Sequence, residues 1–280
     1  MTNYYSGQSV AFLTQHGKEG LIGPMLQDAL GCSILHTTAY DTDLLGTFSG
    51  EINRQDTQVQ TARIKARKGM DLTGARIGIA SEGAFIPDPF SGLIPWNVEI
   101  LMWIDDVNNI EVIGTAQGPA YSLHRSLSSV LELEKFAQVS GFPEHHLMVR
   151  PQNQDDARVR KGLSNSTELM QAFEECKQES NNQIVFVEND LRAFCNPTRQ
   201  AMIRSAADNL LEKLLSYCPA CNMPGFSATR HSSGLPCRIC GNPTKSAKTY
   251  TWCCTVCAFE LIKPNSSLLA EPSGCDVCNP

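Results

Sequence analysis

Residues 10–31 read VAFLTQHGKEGLIGPMLQDALG. Val10 to Leu13 form a short apolar run, Thr14 to Lys18 a polar loop, and Leu21, Ile22, Met25, Leu26, Ala29 and Leu30 then recur at helical spacing until Gly31. A glycine there is a usual helix stop, so the stretch predicts strand, loop, helix.

The same alternation continues along the chain. Cys32–Leu35 is a further strand candidate, and a helix is expected from Thr57, with Gln60 completing a capping box, to Gly69. Strands are expected at Arg76–Ala80, Val98–Ile104 and Glu111–Gly114, a helix near Leu127–Val139 and a strand at His146–Val149. A helix over Ser166–Cys176, a strand over Gln183–Glu188 and a long helix over Pro197–Tyr217 complete the pattern. Strands alternating with helices predict an α/β protein, a layered mixed or mostly parallel sheet with helices on both faces. The expected divisions are an α/β region over 1–145, a second over 146–217 continuing the same layer, and a zinc-binding module over 218–280.

Nine of the twelve cysteines lie in that last segment, and eight form four CxxC pairs: Cys218/Cys221, Cys237/Cys240, Cys254/Cys257 and Cys275/Cys278. Four thiolates complete one tetrahedron with zinc–sulfur bonds near ~2.3 Å, so two structural zinc ions are expected. Spacers of fifteen, thirteen and seventeen residues fit sequential pairing best. A cross-braced arrangement, first pair with third and second with fourth, uses the same ligands. Cys253 is left over. The segment is rich in proline and glycine and poor in helical periodicity, so metal takes the place of a core. Five basic residues against three acidic ones give +2, and two all-thiolate zinc centres bring the module to about −2. Without a basic stripe, protein contact or self-association is favoured over nucleic acid.

The whole chain of 280 residues has a formal charge of −6 and no apolar run near the ~20 residues needed to span a bilayer. Met1 to Gly7 is polar and carries no basic stretch, so no secretory leader is read there and a cytoplasmic location is expected.

In α/β sheets ligands bind beyond the carboxyl ends of strands. On that criterion four clusters stand out. In the first, His16 to Glu19, Lys18 can meet a phosphate beside a helix N-terminus. In the second, Ser81-Glu82-Gly83 follows an apolar run, and Glu82 is placed to hold magnesium or act as a base, with Ser81 beside it. Asp105-Asp106 is a third, weaker candidate. The fourth runs from Glu188 to Arg199: Glu188 and Asp190 would share one face if the strand persisted, Asn196 and Pro197 match N-cap and N1 residues, and Arg192 and Arg199 supply positive charge. The plainer reading of that fourth cluster is an arginine–carboxylate staple. His145-His146 reads as a capping pair. No GxSxG elbow, P-loop or GxGxxG fingerprint is present.

Three motifs, SEGAFIPDPF at 81–90, ENDLRAFCNPTR at 188–199 and LPCRICGNPT at 235–244, resemble an uncharacterised bacterial domain-of-unknown-function family. More remotely, the Thr14–Lys18 loop, the Thr61–Ala66 helix segment and Ile77–Gly83 are similar to inosine-triphosphatase-like nucleotide pyrophosphatases. That likeness implies phosphate contacts for Lys18 and Lys65 and a magnesium-binding role for Glu82. The expected function is a metal-dependent hydrolase of a phosphate-containing small molecule such as a nucleotide, with Glu82, Glu188 and Asp190 holding magnesium and Lys18, Arg192 and Arg199 neutralising phosphate. The competing expectation is a non-catalytic ligand-binding or adaptor protein.

Overall fold

A computed structural model of the chain describes residues 3–15, 17–45 and 56–280. His16, from the first cluster, lies outside them. The chain divides into two units, residues 1–105 with 113–211, and 106–112 with 212–280.

The first sheet begins as the sequence anticipates. β1 (Ser9–Leu13) leads into α1 (Lys18–Leu30), which starts after Gly17 and stops at Gly31, both left-handed, then β2 (Ser33–Thr37). α2 (Gln58–Thr73) is capped by Thr57, whose hydroxyl accepts from Gln60 N. β3 (Ile77–Pro87), β4 (Pro95–Asp105) and β5 (Ile110–Pro119) follow, and the sheet order is β2-β1-β3-β4-β5. β1 pairs parallel with β2 and β3, while β3 and β4 form an antiparallel hairpin paired at eleven positions from Ile77↔Asp105 to Pro87↔Pro95. The sheet is therefore mixed.

β3 runs well past the expected end at Ala80, which places Ser81, Glu82 and Gly83 inside a strand rather than in a loop. The physical reason is the hairpin: β4 supplies backbone hydrogen bonds whatever the side chains are. At its tip the Asp88 carboxylate accepts backbone N–H groups from Phe90, Ser91, Leu93 and Ile94, which holds it ionised well below the usual carboxylate range.

The strands after β5 do not continue this layer. β6 (His124–Leu127), β7 (Leu147–Arg150), β8 (Arg160–Leu163) and β9 (Val185–Asn189) form a separate antiparallel sheet in the order β6-β9-β7-β8. The expected single layer is thus two sheets, because β6 pairs with β9 rather than with β5. α3 (Val130–Val139) and α4 (Ser166–Glu179) bury Leu133, Phe136, Leu169 and Phe173 against Leu147, Val149, Val185 and Val187. α5 (Pro197–Leu214) follows β9.

Within the second unit, β10 (Ser227–Ser233), β11 (Ala247–Cys253) and β12 (Glu260–Pro264) make an antiparallel three-stranded sheet with the CxxC turns at its ends. Among the described residues no helix is long and apolar enough to cross a membrane.

Candidate functional site

Side chains alternate across a strand, so Ser81, Gly83 and Phe85 of β3 share one face with their cross-strand partners Leu101, Glu99 and Asn97. Glu82 points to the other face. There Ala80, Ile100 and Met102 pack on Ala62, Ala66 and Met70 of α2, and Glu82 makes an ion pair with Lys65 of the same helix. Gln58 at the start of α2 donates from Nε2 to Glu82 O and Val98 O, 2.9 Å each, and ties the helix to the hairpin.

The face carrying Ser81 holds the denser set of charges. β1 pairs with β3 only as far as Phe12↔Ile79, so the next edge carbonyl, Ser81 O, is taken by a side chain instead. Lys18, the first residue of α1, donates from Nζ to Ser81 O at 3.2 Å and to Ser81 Oγ at 3.4 Å, and is buried. Burial, and then the neighbouring Arg199 charge, lower its pKa to about 8 against the pull of Glu99 and Glu82.

Two residues further along the same face, Arg199 Nε donates to Glu99 Oε1 at 2.7 Å, with both side chains buried. Arg199 sits in the first turn of α5, its N–H capped by Asn196 Oδ1 at 3.0 Å, while Asn196 Nδ2 holds Tyr121 O. The guanidinium lies 5.8 Å from the Phe85 ring centroid. Gly83 is required beneath this pair, because a Cβ there would overlap Glu99 Oε1 and Arg199 Nη2. Asn97 Nδ2 adds a 3.1 Å bond to Glu99 Oε1 and one of 3.2 Å to Ala84 O.

The carboxylates expected to share magnesium do not gather. Glu188 lies on β9 in the second sheet, where its Oε1 accepts from Arg150 Nε at 2.9 Å, and burial raises its pKa. Asp190 follows the end of that strand, accepts Gly162 N at 3.0 Å and is gripped by Arg192, whose guanidinium stacks 4.8 Å from Phe194. Glu188, Asp190 and Glu82 form no joint metal group among the described residues. β9 stops at Asn189, so the alternation that would align Glu188 with Asp190 ends one residue short. The staple reading fits Arg192, whereas Arg199 reaches a carboxylate the sequence analysis did not single out. Asp105 is buried at the end of β4. His145 Nε2 lies 2.8 Å from Thr198 Oγ1, and its ring stacks on Tyr121.

Glu99 and Asn97 are the residues that sequence reasoning missed. Their signal is two polar residues, spaced by two, in the otherwise apolar run Asn97-Val98-Glu99-Ile100-Leu101-Met102-Trp103.

The eight CxxC cysteines form two groups, Cys218, Cys221, Cys254 and Cys257, and Cys237, Cys240, Cys275 and Cys278. Each can hold a metal ion. Cross-pair Sγ separations of 3.7 and 3.6 Å in the first group, and 3.9 and 3.5 Å in the second, match the ~3.8 Å edge of a tetrahedron built on ~2.3 Å metal–sulfur bonds. The pairing is cross-braced, first with third and second with fourth, and not sequential. Register explains it. Ser227↔Cys253 puts the turns before β10 and after β11 at one end of the sheet. The second turn follows β10 at the other end, where Thr249↔Pro264 also delivers the chain leading to the fourth. Phe226, Trp252 and Phe259 pack beside the first group. Cys253 is no ligand; its Sγ accepts from Thr229 Oγ1 at 3.1 Å.

A model of the domain-of-unknown-function family DUF6671 matches residues 65–280. The chain belongs to DUF6671. The DUF6671 match opens at Lys65 and takes in Ser81, Glu82, Asn97, Glu99, Arg199 and all eight metal-site cysteines, while Lys18 precedes it. No curated protein matches the chain.

Proposed function

We propose that the open edge of the first sheet at Lys18, from which both faces of β3 are reached, binds a phosphate-containing small molecule, and that the protein hydrolyses a phosphoester or phosphoanhydride bond in it. The observation that carries this reading is the charge balance around Lys18. Glu82 is paired with Lys65 and Glu99 with Arg199, whereas the direct partners of Lys18 among the described residues are the two Ser81 oxygens, with Glu99 and Glu82 acting on it only as neighbouring charges already paired elsewhere. A buried ammonium without a carboxylate in direct contact is costly, and an anion beside it lowers that cost. Phosphate suits it, since Lys18 also opens a helix whose first N–H groups lack intrahelical acceptors.

The hydrolytic part of the reading narrows to Glu82. Magnesium is commonly held by one or two carboxylates together with substrate phosphates, so a single carboxylate is a sufficient protein contribution. Bound there, the ion would polarise the phosphoryl group and activate water. Lys18, at the sheet edge, would neutralise charge developing on phosphate oxygens, Lys65 would hold Glu82 in place, and Arg199, engaged with Glu99 on the face opposite Glu82, would add positive charge only to the part of the ligand lying on that face. Ser81 keeps Lys18 aimed, and Asn196 positions the first turn that carries Arg199.

Zinc is the metal proposed for the two four-cysteine sites. Closed thiolate sites offer no open position, so these ions brace the module and do no chemistry. The net charge near the module favours a protein partner or self-association over nucleic acid, and the protein is read as cytoplasmic.

The test is release of phosphate or pyrophosphate from a nucleotide and sugar-phosphate panel with Mg²⁺ or Mn²⁺. Turnover should vanish in Glu82→Gln while ligand binding survives. The engagement of Glu82 by Lys65 favours one alternative, a non-catalytic binding protein, which predicts saturable binding, no release, and indifference to Glu82→Gln.

A further inference from the structure

Among the described residues, Glu99 and Asn97 leave two acceptor atoms with nothing to accept. Glu99 is 0% and Asn97 2% exposed, yet Glu99 Oε2 and Asn97 Oδ1 have no hydrogen-bond partner there. The amide orientation of Asn97 is fixed by its Nδ2, which serves two acceptors, Ala84 O and Glu99 Oε1. Its oxygen is therefore directed elsewhere. Buried acceptors keep their desolvation cost until a donor arrives, and native proteins leave few of them empty.

The surrounding charge decides what kind of donor fits. Arg199 already occupies Glu99 Oε1, and Lys18 feels both of them. A metal ion or an ammonium group would meet two cations at close range, whereas a neutral hydroxyl brings a proton and no charge. Position along the strand fixes how far that hydroxyl stands from the phosphate. Lys18 is anchored at Ser81, and Glu99 lies across from Gly83, two residues on, or roughly 7 Å at the usual strand rise. Hydroxyls on the carbon skeleton that carries a phosphate fall within that span.

We infer that Asn97 Oδ1 and Glu99 Oε2 form a hydroxyl-reading subsite, so that the ligand is a phosphorylated polyol, whether a sugar phosphate or the ribose phosphate portion of a nucleotide. The inference rests on the phosphate reading for Lys18. Gly83 belongs to the same device, since any side chain there would displace the Glu99–Arg199 pair that orients Oε2.

The experiment is calorimetric titration of the zinc-loaded 280-residue chain with inorganic phosphate, n-propyl phosphate and glycerol 3-phosphate, the last two sharing one three-carbon skeleton without and with hydroxyls respectively. Glycerol 3-phosphate should bind at least about tenfold tighter than n-propyl phosphate. Asn97→Ala should erase most of that margin and leave n-propyl phosphate binding as it was. If both esters bind equally, the two acceptors are served by ordered water and the subsite is refuted while the phosphate reading stands. If none of the three binds, the phosphate reading itself falls and the subsite with it. Should Asn97→Ala fail to fold, the ratio of the two esters on the unaltered chain decides alone.

Discussion

Arg199 and Glu99, one hundred residues apart in sequence, form a buried ion pair on the central hairpin, Nε to Oε1 at 2.7 Å. Gly83 opposite Glu99 leaves the room for it. The pair fastens α5 to the first sheet and fills the space beside the lysine site.

Removing one member strands the other. Glu99→Ala or Arg199→Ala should lower unfolding free energy by about 3–5 kcal/mol, read by urea denaturation, because a buried charge is left uncompensated. Replacing both with apolar residues of similar volume should cost clearly less than the sum of the single changes. Additive losses would show that the two side chains do not act as a pair.

Gly83→Ala should destabilise through the same pair. The new methyl overlaps the carboxylate and guanidinium, so Glu99 must leave its rotamer or the hairpin must shift. A loss of roughly 1–3 kcal/mol is expected from overpacking. Gly92→Ala, with a left-handed backbone but open space around it, serves as a control for strain alone.

Lys18 sets a pH dependence. Its pKa falls from 10.5 to about 8 on folding, so between those values the unfolded chain binds a proton that the native protein does not. Stability should therefore rise with pH across that window, by at most ~1.4 kcal/mol per pH unit for one group, and the rise should be absent in Lys18→Met. Phosphate affinity should move the opposite way, weakening above pH 8 as the ammonium is lost. Urea melts and titrations at pH 7, 8.5 and 10 read both.

Two double substitutions separate the metal-site pairings. Cys221 and Cys254 belong to one site, so Cys221→Ser with Cys254→Ser should leave one bound zinc per chain. Cys221→Ser with Cys240→Ser damages both sites and should leave none. Sequential pairing predicts the reverse order, and zinc measured by atomic absorption distinguishes them.

Periodicity carried most of the secondary structure, because α1, α2, α4 and α5 bury regular apolar stripes. It failed where polar strands are held by backbone pairing. His124–Leu127 and Arg160–Leu163 contain three polar or glycine residues in four and carry no strand signal, so the second sheet was not separable from the first. Ser81-Glu82-Gly83 reads as a loop only because its small and charged residues break an apolar run that the hairpin continues. The cysteine ligands were legible from spacing, but their pairing depends on strand register, which no spacer length encodes. Lys18 stood out by its loop. Glu99 did not, because a single carboxylate inside a buried strand declares itself only once its partner from a distant helix is in view.

The most direct test of the lysine site is calorimetric titration of pyrophosphate into the zinc-loaded chain at pH 7, beside Lys18→Met of matched fold. The account predicts saturable one-site binding that weakens at least about tenfold in the variant, as loss of a charge-assisted hydrogen bond requires. Identical isotherms for the two proteins, or no binding by the unaltered chain, would contradict it.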